Sequence, residues 1–238
     1  MSGASMRLGF DPGWSQPPKA LLRRLTLTHW LQNPNDPSLP SIHEVERYAA
    51  LAAIAGYAAA TGPLNLMLPA DAKKWAVEQL TTLGFSPDAL PVCLHLSAKW
   101  CSENWSEQTC TEVSLAILER FPSVFLIVTA GPGEERFFTS ADALLPAKRF
   151  HLFQNLTLAE WAALLAQSRG LVSMDTGAVH LAAAVNVPVV AVFPELNFAH
   201  ASSRWAPWQV PHRIIRRPSP EDKAKFLSQI CTALEAIL

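Results

Sequence analysis

From about residue 91 to the C-terminus, short apolar runs alternate with amphipathic stretches, which predicts strands and helices in turn. Residues 92–96 read as a buried strand. Cys110, Val113, Ile117 and Phe121 recur at helical spacing and place an amphipathic helix over 106–120. The run 124–129 is apolar throughout, as a strand covered on both faces requires. A helix over 134–145, a short strand over 149–153 and a helix marked by Leu158, Trp161, Leu164 and Leu165 follow. Then come a strand at 171–174, a helix at 179–185, a strand at 188–193 and a further strand at 213–215. The last helix opens near Ser219 and Pro220 and turns Phe226, Ile230, Leu234 and Ile237 inward. Strands separated by helices of this length are βαβ units, and right-handed crossovers build them into a doubly wound parallel sheet.

Before residue 90 the texture differs. Up to about residue 35 the chain is irregular and punctuated by Pro12, Pro17, Pro18 and Pro34, and 33–41 reads as a loop. Ser41 is placed to cap a helix running through Glu44 and Glu46 to about residue 60, with acidic residues at its positive end. Residues 64–68 predict a short strand, and Asp71 is expected to cap a helix that stops at Gly84. Two domains are therefore expected: a partial α/β domain over 1–90 and a Rossmann-like domain over 91–238.

Composition narrows the class. Half of the 238 residues are apolar and 16% are charged, enough for a well-filled core, and a net charge of −1 offers no bulk attraction to nucleic acid. The basic pairs Arg23-Arg24 and Arg216-Arg217 read as solvated faces. Cys93, Cys101, Cys110 and Cys231 show neither C-x-x-C nor His/Cys ligand spacing, so free thiols and no metal site are expected. Residues 1–14 lack the apolar core of a secretory leader, and the longest apolar run, 49–60, is short and alanine-rich. These features predict a cytoplasmic chain without a transmembrane segment.

The most informative stretch is Ser173-Met174-Asp175-Thr176-Gly177-Ala178-Val179-His180. In a parallel sheet, ligands bind beyond the C-terminal ends of the strands, in loops that lead into helices. Here an apolar strand ends on an acid and a Thr-Gly pair opens an alanine-rich helix. Gly177 lets a ligand approach the backbone, and the helix N-terminus suits a diphosphate. Thr176 can cap that helix, and His180 can reach the same anion from its first turn. The spacing alone is equally served by a plain helix cap followed by a buried histidine.

The longer string S-M-D-T-G-A-V-H-L-A-A-A-V-N-V-P-V-V-A-V-F resembles the donor-site signature of glycosyltransferase family 9, the heptosyltransferase-like family of lipopolysaccharide biosynthesis. L-T-L-A-E-W-A-A-L-L-A-Q-S is similar to the helix before that signature, G-P-G-E-E to the family's Gly/Glu loop, and S-A-K-W-C-S-E-N-W-S to the segment leading into the first helix of the donor domain. The resemblance covers 91–238 and implies a GT-B-like fold, an α/β architecture of paired Rossmann-type domains. It implies that Thr176, Gly177 and His180 contact the donor diphosphate and Asp175 the transferred sugar. It implies that Glu135, or Glu134, in the loop opened by Gly131, binds the ribose, and that Leu156 packs on the base. The implied partners are a nucleotide-diphosphate sugar and a glycan or lipid-linked acceptor, with no nucleic acid, metal or other cofactor.

The chain departs from the family pattern in three places. Residues 7–84 resemble only the second half of the family's N-terminal domain, so no residue matches the expected base; Asp11, His43 and Glu44 are candidates. Where a lysine is expected ahead of Trp105 the chain has Glu103, and a carboxylate there opposes a diphosphate unless Lys99 compensates. The loop Pro194-Glu195-Leu196-Asn197 lacks a glycine turn. Three readings follow: a glycosyltransferase; a catalytically weakened binding or partner module; and a nucleotide-sugar epimerase or other GT-B enzyme, which fits the fold but the D-T-G-to-His block less well. An incomplete first domain also implies a homo-dimer or hetero-complex formed through residues before 90.

Overall fold

The structure, a computed structural model, describes residues 3–11, 17–32, 41–58, 61–85, 89–134, 136 and 149–238. It divides into two compact units: the chain up to Gly62 with Ala199–Trp205, and Pro63–Phe198 with Ala206–Leu238.

The smaller unit holds β1 (Leu8–Asp11), α1 (Pro17–Thr26), β2 (His29–Gln32) and α2 (Glu44–Ile54). β1 and β2 pair in parallel, with Gly9 opposite Trp30, so the region before residue 35 is a small β-α-β unit rather than irregular chain. Each strand has only four residues, too few for a periodicity to show. α2 starts on His43, not Ser41. The His43 imidazole accepts from the Val45 N–H at 3.2 Å, and the Glu46 carboxylate accepts from the His43 N–H at 3.3 Å. The helix stops at Ile54, short of residue 60, and Gly56 (φ 84°) supplies the left-handed turn beyond it.

Residues 64–68 form no strand; the Leu66 N–H donates instead to the Ala184 carbonyl at 2.9 Å. α3 (Ala70–Thr82) begins from Pro69, and Asp71 lies inside its first turn rather than capping it. Gly84 (φ 69°) ends the helix region as expected. Although α3 precedes residue 90, its Trp75 packs edge-on against Phe153 of the larger unit.

The larger unit continues with β3 (Leu90–Leu96), α4 (Thr109–Arg120), β4 (Val124–Ala130), β5 (Phe150–Phe153) and α5 (Leu158–Ala166). It is completed by β6 (Gly170–Met174), α6 (Gly177–Ala184), β7 (Val189–Phe193), β8 (His212–Arg216) and α8 (Lys223–Glu235). Between β7 and β8 the short α7 (Phe198–Arg204) lies almost wholly in the smaller unit. The helix expected over 134–145 falls mostly outside the described residues. All six strands of the larger unit run parallel in the order β5-β4-β3-β6-β7-β8.

Alternation along the strands assigns the two faces. Val92, Leu94, Leu126, Val128, Val172, Met174, Val190 and Val192 pack with Ile117 of α4 and Phe226 and Ile230 of α8 in one buried cluster. The intervening residues face the layer of α5 and α6; His95, for example, stacks on Trp161 of α5. The chain runs outward from β3 through β4 to β5, then returns to β6 on the other side of β3 and runs out to β8. The order therefore reverses between β3 and β6. Ligands of open α/β sheets bind at the C-terminal ends of two such strands.

Candidate functional site

The loops after β3 and β6 carry Lys99 and Asp175, and the two side chains meet across the switch point. The Lys99 ammonium lies 3.3 Å from the Asp175 carboxylate and also donates to the Asp175 carbonyl oxygen. Asp175 is held from below, its N–H donating to the Val192 carbonyl at 2.9 Å. Thr176 is the N-cap of α6 and accepts from the Ala178 N–H at 3.3 Å; Ser173 Oγ lies 3.1 Å from the Thr176 hydroxyl. Gly177 opens the helix in an exposed position, and a Cβ built there meets nothing within 4 Å, so this side of the backbone faces free space. His180 is half-buried at the end of the first turn. Thr176 thus caps the helix as expected, His180 is half-buried rather than buried, and the helix N-terminus lies beside Lys99.

Gly131 and Glu134 close on each other after β4. The Glu134 carboxylate accepts from the Gly131 N–H at 3.3 Å and from the Ala98 N–H at 3.1 Å, linking the loops after β3 and β4. A side chain at position 131 would bring its Cβ to 2.7 Å from that carboxylate, which would have to shift to admit it. Glu134 is thus committed to backbone donors. Glu135 lies outside the described residues.

Leu156 lines a cavity of about 290 Å³ at the ends of β3, β4 and β5, together with His95, Thr129, Gly131, Asn155 and Trp161. Sequence reasoning missed His95, Thr129 and Trp161. The signal was present in His95, an imidazole on a strand otherwise apolar throughout. His95 Nδ1 lies 3.0 Å from the Thr129 hydroxyl, and its ring is 4.7 Å from the Trp161 ring. Burial pushes the imidazole down to about 4, outweighing the opposing hydrogen bond to the Thr129 backbone, so the ring is neutral near pH 7.

Glu103 does not confront this site as an uncompensated charge. Its carboxylate accepts from Arg217 at 2.6 and 3.2 Å and from the Leu196 N–H at 3.3 Å. Burial pushes its carboxyl up, but the hydrogen bonds and charge of Arg217, with the Leu196 N–H, outweigh it and hold it below the usual range. Arg217 is completely buried, the opposite of the solvated face expected for the Arg216-Arg217 pair. Arg216 does remain on the surface, paired with Glu195. The loop after β7 turns without glycine because Asn197 takes the left-handed conformation (φ 61°).

The three candidates for a base all have structural partners within the smaller unit. Asp11 is 2.6 Å from Arg24, His43 caps α2, and the Glu44 carboxylate accepts from Arg47 and Arg204. Among the described residues, no group of His, Cys, Asp or Glu is arranged to hold a metal, and no helix is long and apolar enough to cross a membrane.

A doubly wound parallel sheet whose order reverses between β3 and β6 defines a Rossmann-like α/β unit. The model of glycosyltransferase family 9 (heptosyltransferase) matches residues 13–233, and the chain belongs to that family. It is 30% identical over 155 residues to lipopolysaccharide heptosyltransferase 1 of Pseudomonas aeruginosa, a match covering 65% of this chain and 41% of that protein. The match therefore spans less than half of that relative. The chain shares its fold with a family 9 glycosyl transferase from Veillonella parvula at 14% identity and a TM-score of 0.75, covering 98% of this chain and 67% of the other. E. coli ADP-heptose lps heptosyltransferase II aligns at 16% identity and a TM-score of 0.62, covering 97% and 75%. E. coli heptosyltransferase WaaC, solved with ADP, aligns at 19% identity and a TM-score of 0.58, covering 93% and 65%. The GT-B-like α/β fold is thereby shown.

Proposed function

We propose that the larger unit binds the nucleotide-diphosphate sugar of a glycosyl transfer reaction, with a glycan or lipid-linked glycan as acceptor. The observation that carries this reading is the Lys99–Asp175 pair beside the open N-terminus of α6. Lys99 and the helix N-terminus supply positive potential for the diphosphate, and that potential stabilises the charge that develops as the glycosidic bond breaks. Asp175 offers acceptors to sugar hydroxyls, Thr176 and His180 flank the phosphates, Glu135 takes the ribose, and the base enters the cavity between Leu156 and Trp161 beside Gly131. An ADP-sugar is the donor class tested first, because WaaC was solved with ADP and with ADP-2-deoxy-2-fluoro heptose. A cytoplasmic location and a role in lipopolysaccharide assembly belong to the same reading.

Calorimetric titration with ADP and UDP tests it. Wild type is expected to bind one of them, and Gly177→Val, whose side chain has room to fold, is expected to weaken binding by about tenfold or more by standing between ligand and backbone. A wild-type protein that binds neither nucleotide, or a Gly177→Val protein that binds unchanged, would sink the donor-site reading.

A second reading, that the chain works as a partner of another subunit, is favoured by the smaller unit. Leu21, Leu22 and Leu25 of α1 are 58%, 63% and 69% exposed, and among the described residues β1 and β2 pair only with each other.

A further inference from the structure

We propose that Arg217 is the positioning residue of the donor site: from its buried place beyond β8 it fixes the loop after β3, so that Lys99 reaches Asp175 across the switch point. This rests on the donor-site reading above.

The Arg217 guanidinium is fully buried and spends its donors almost entirely on that loop. Nη1 donates to the carbonyls of Lys99 at 2.8 Å and Trp100 at 3.3 Å. Nη2 donates to the Ser102 carbonyl at 2.9 Å, the Ser102 hydroxyl at 2.8 Å and the Glu103 carboxylate at 2.6 Å. The Nε–H reaches the same carboxylate at 3.2 Å. Arg217 is anchored in turn, its backbone N–H donating to the Phe193 carbonyl at 2.9 Å. The side chain therefore ties the far edge of the sheet to the loop after β3, past the ends of β7 and β6, where Asp175 lies.

The loop needs such a tie. Glu103 and Asn104 are consecutive residues in the left-handed region, at φ 54° and 65°; asparagine adopts it readily, but a glutamate holds it only when its surroundings fix it. Ala98–Cys101 form a single 3-10 turn, and the Trp100 and Trp105 side chains of the loop are buried. Lys99 itself is half exposed, and one surface ion pair does little to hold a long side chain. What places its ammonium is the position of its own backbone, and the Lys99 carbonyl is the atom Arg217 Nη1 holds. A lysine at 217 could not reproduce this, since a single ammonium lacks the planar fork that reaches three carbonyls and a carboxylate together.

The test reads the position of Lys99 separately from ligand binding. Because Arg217→Met alone would strand the Glu103 carboxylate, the working variant is Arg217→Met with Glu103→Gln, which removes both charges and keeps the volumes. Acetylation by an N-hydroxysuccinimide ester, followed by mass spectrometry, reports the reactivity of Lys99, with the exposed Lys225 as internal reference. Lys99 is expected to react several-fold faster in the double variant, and in Arg217→Lys, while Lys225 is unchanged. In parallel, ADP affinity by calorimetry is expected to fall about tenfold in the double variant and in Lys99→Met, with no further loss when the changes are combined. Unchanged Lys99 reactivity in a folded variant overturns the proposal. Faster reactivity with unchanged ADP affinity overturns the role of Arg217 in the donor site. If wild type binds UDP in place of ADP the affinities are read with UDP; a wild type that binds neither counts against the donor reading, and the labelling still decides whether Arg217 positions Lys99.

Discussion

A lysine at position 103 is what the family resemblance expects, yet here Glu103 is the counter-charge of a guanidinium with no solvent access. Glu103→Lys would set two cations side by side and leave the buried one without its carboxylate. Removing one partner of a buried pair costs roughly 3–5 kcal/mol, and because Glu103 is partly exposed we expect a loss of about 2 kcal/mol. In a chain of this size that is a fall in melting temperature of roughly 4–8 °C, readable by differential scanning calorimetry. An unchanged melting temperature would mean that the pair contributes nothing. His95 makes a second residue-scale case. Its folded value lies near 4, below the value of about 6.5 in an unfolded chain, so the unfolded state takes up the proton first as pH falls. Stability is then fully present above about pH 6.5 and is lost between there and pH 4, by up to about 3 kcal/mol. Urea unfolding at pH 7, 6 and 5 should show this decline in wild type and a shallower one in His95→Gln; parallel slopes would exclude His95 as its source.

At the scale of elements, two threonine caps have the same chemistry and different expected consequences. Thr157 caps α5 in a reciprocal box with Glu160, at 3.2 Å for the Glu160 N–H and 2.8 Å for the return bond. Thr176 caps α6 at the switch point. Thr157→Ala and Thr176→Ala should each cost about 1 kcal/mol in urea unfolding. Thr176→Ala should also weaken nucleotide binding, and by more than Thr157→Ala, because the N-terminus of α6 is the end offered to the diphosphate, whereas α5 lends the proposed site only the side chains of Leu158 and Trp161. Equal effects on binding would show that the contrast between the two helices is wrong. Both caps were open to sequence reasoning in principle. Thr176 was legible because its loop carries chemistry, whereas the T-x-x-E box at 157–160 is an ordinary helix start. The His43 cap was not legible, because an imidazole seldom fills that place and Ser41 nearby is the commoner choice.

For the whole molecule, the exposed leucines of α1, the pairing of β1 and β2 only with each other among the described residues, and the exposed Tyr48 and Tyr57 set the expectation that the smaller unit is covered by another chain. Light scattering at micromolar concentration should give a mass above the 26.0 kDa of one chain, and Leu22→Glu with Leu25→Glu should return it to that value. A clean monomer in wild type would remove the homo-dimer and leave a different subunit as the only form of the partner reading. The strand order has a consequence on the same scale. Lys99 and Asp175 are 76 residues apart in the chain, and they meet only because β6 inserts beside β3 instead of continuing past β5.

The alternation of apolar runs and amphipathic stretches after residue 90 fixed the strands and most of the helices, because burial on two faces leaves a continuous apolar signature that needs no partner to be read. The geometry of the D-T-G loop was legible for a similar reason: strand, cap, glycine and helix are adjacent in the chain, so local structure alone leaves the helix N-terminus exposed at the end of a strand. What only the tertiary structure decided depends on distant residues. The order of the strands, the bond from Lys99 to Asp175, the cavity shared by His95, Leu156 and Trp161, and the burial of Arg217 beneath a loop more than a hundred residues earlier leave no periodic trace. Glu103 shows the difference most plainly. In sequence it is a charge of the wrong sign, and its meaning is set by an arginine that folding brings within 2.6 Å.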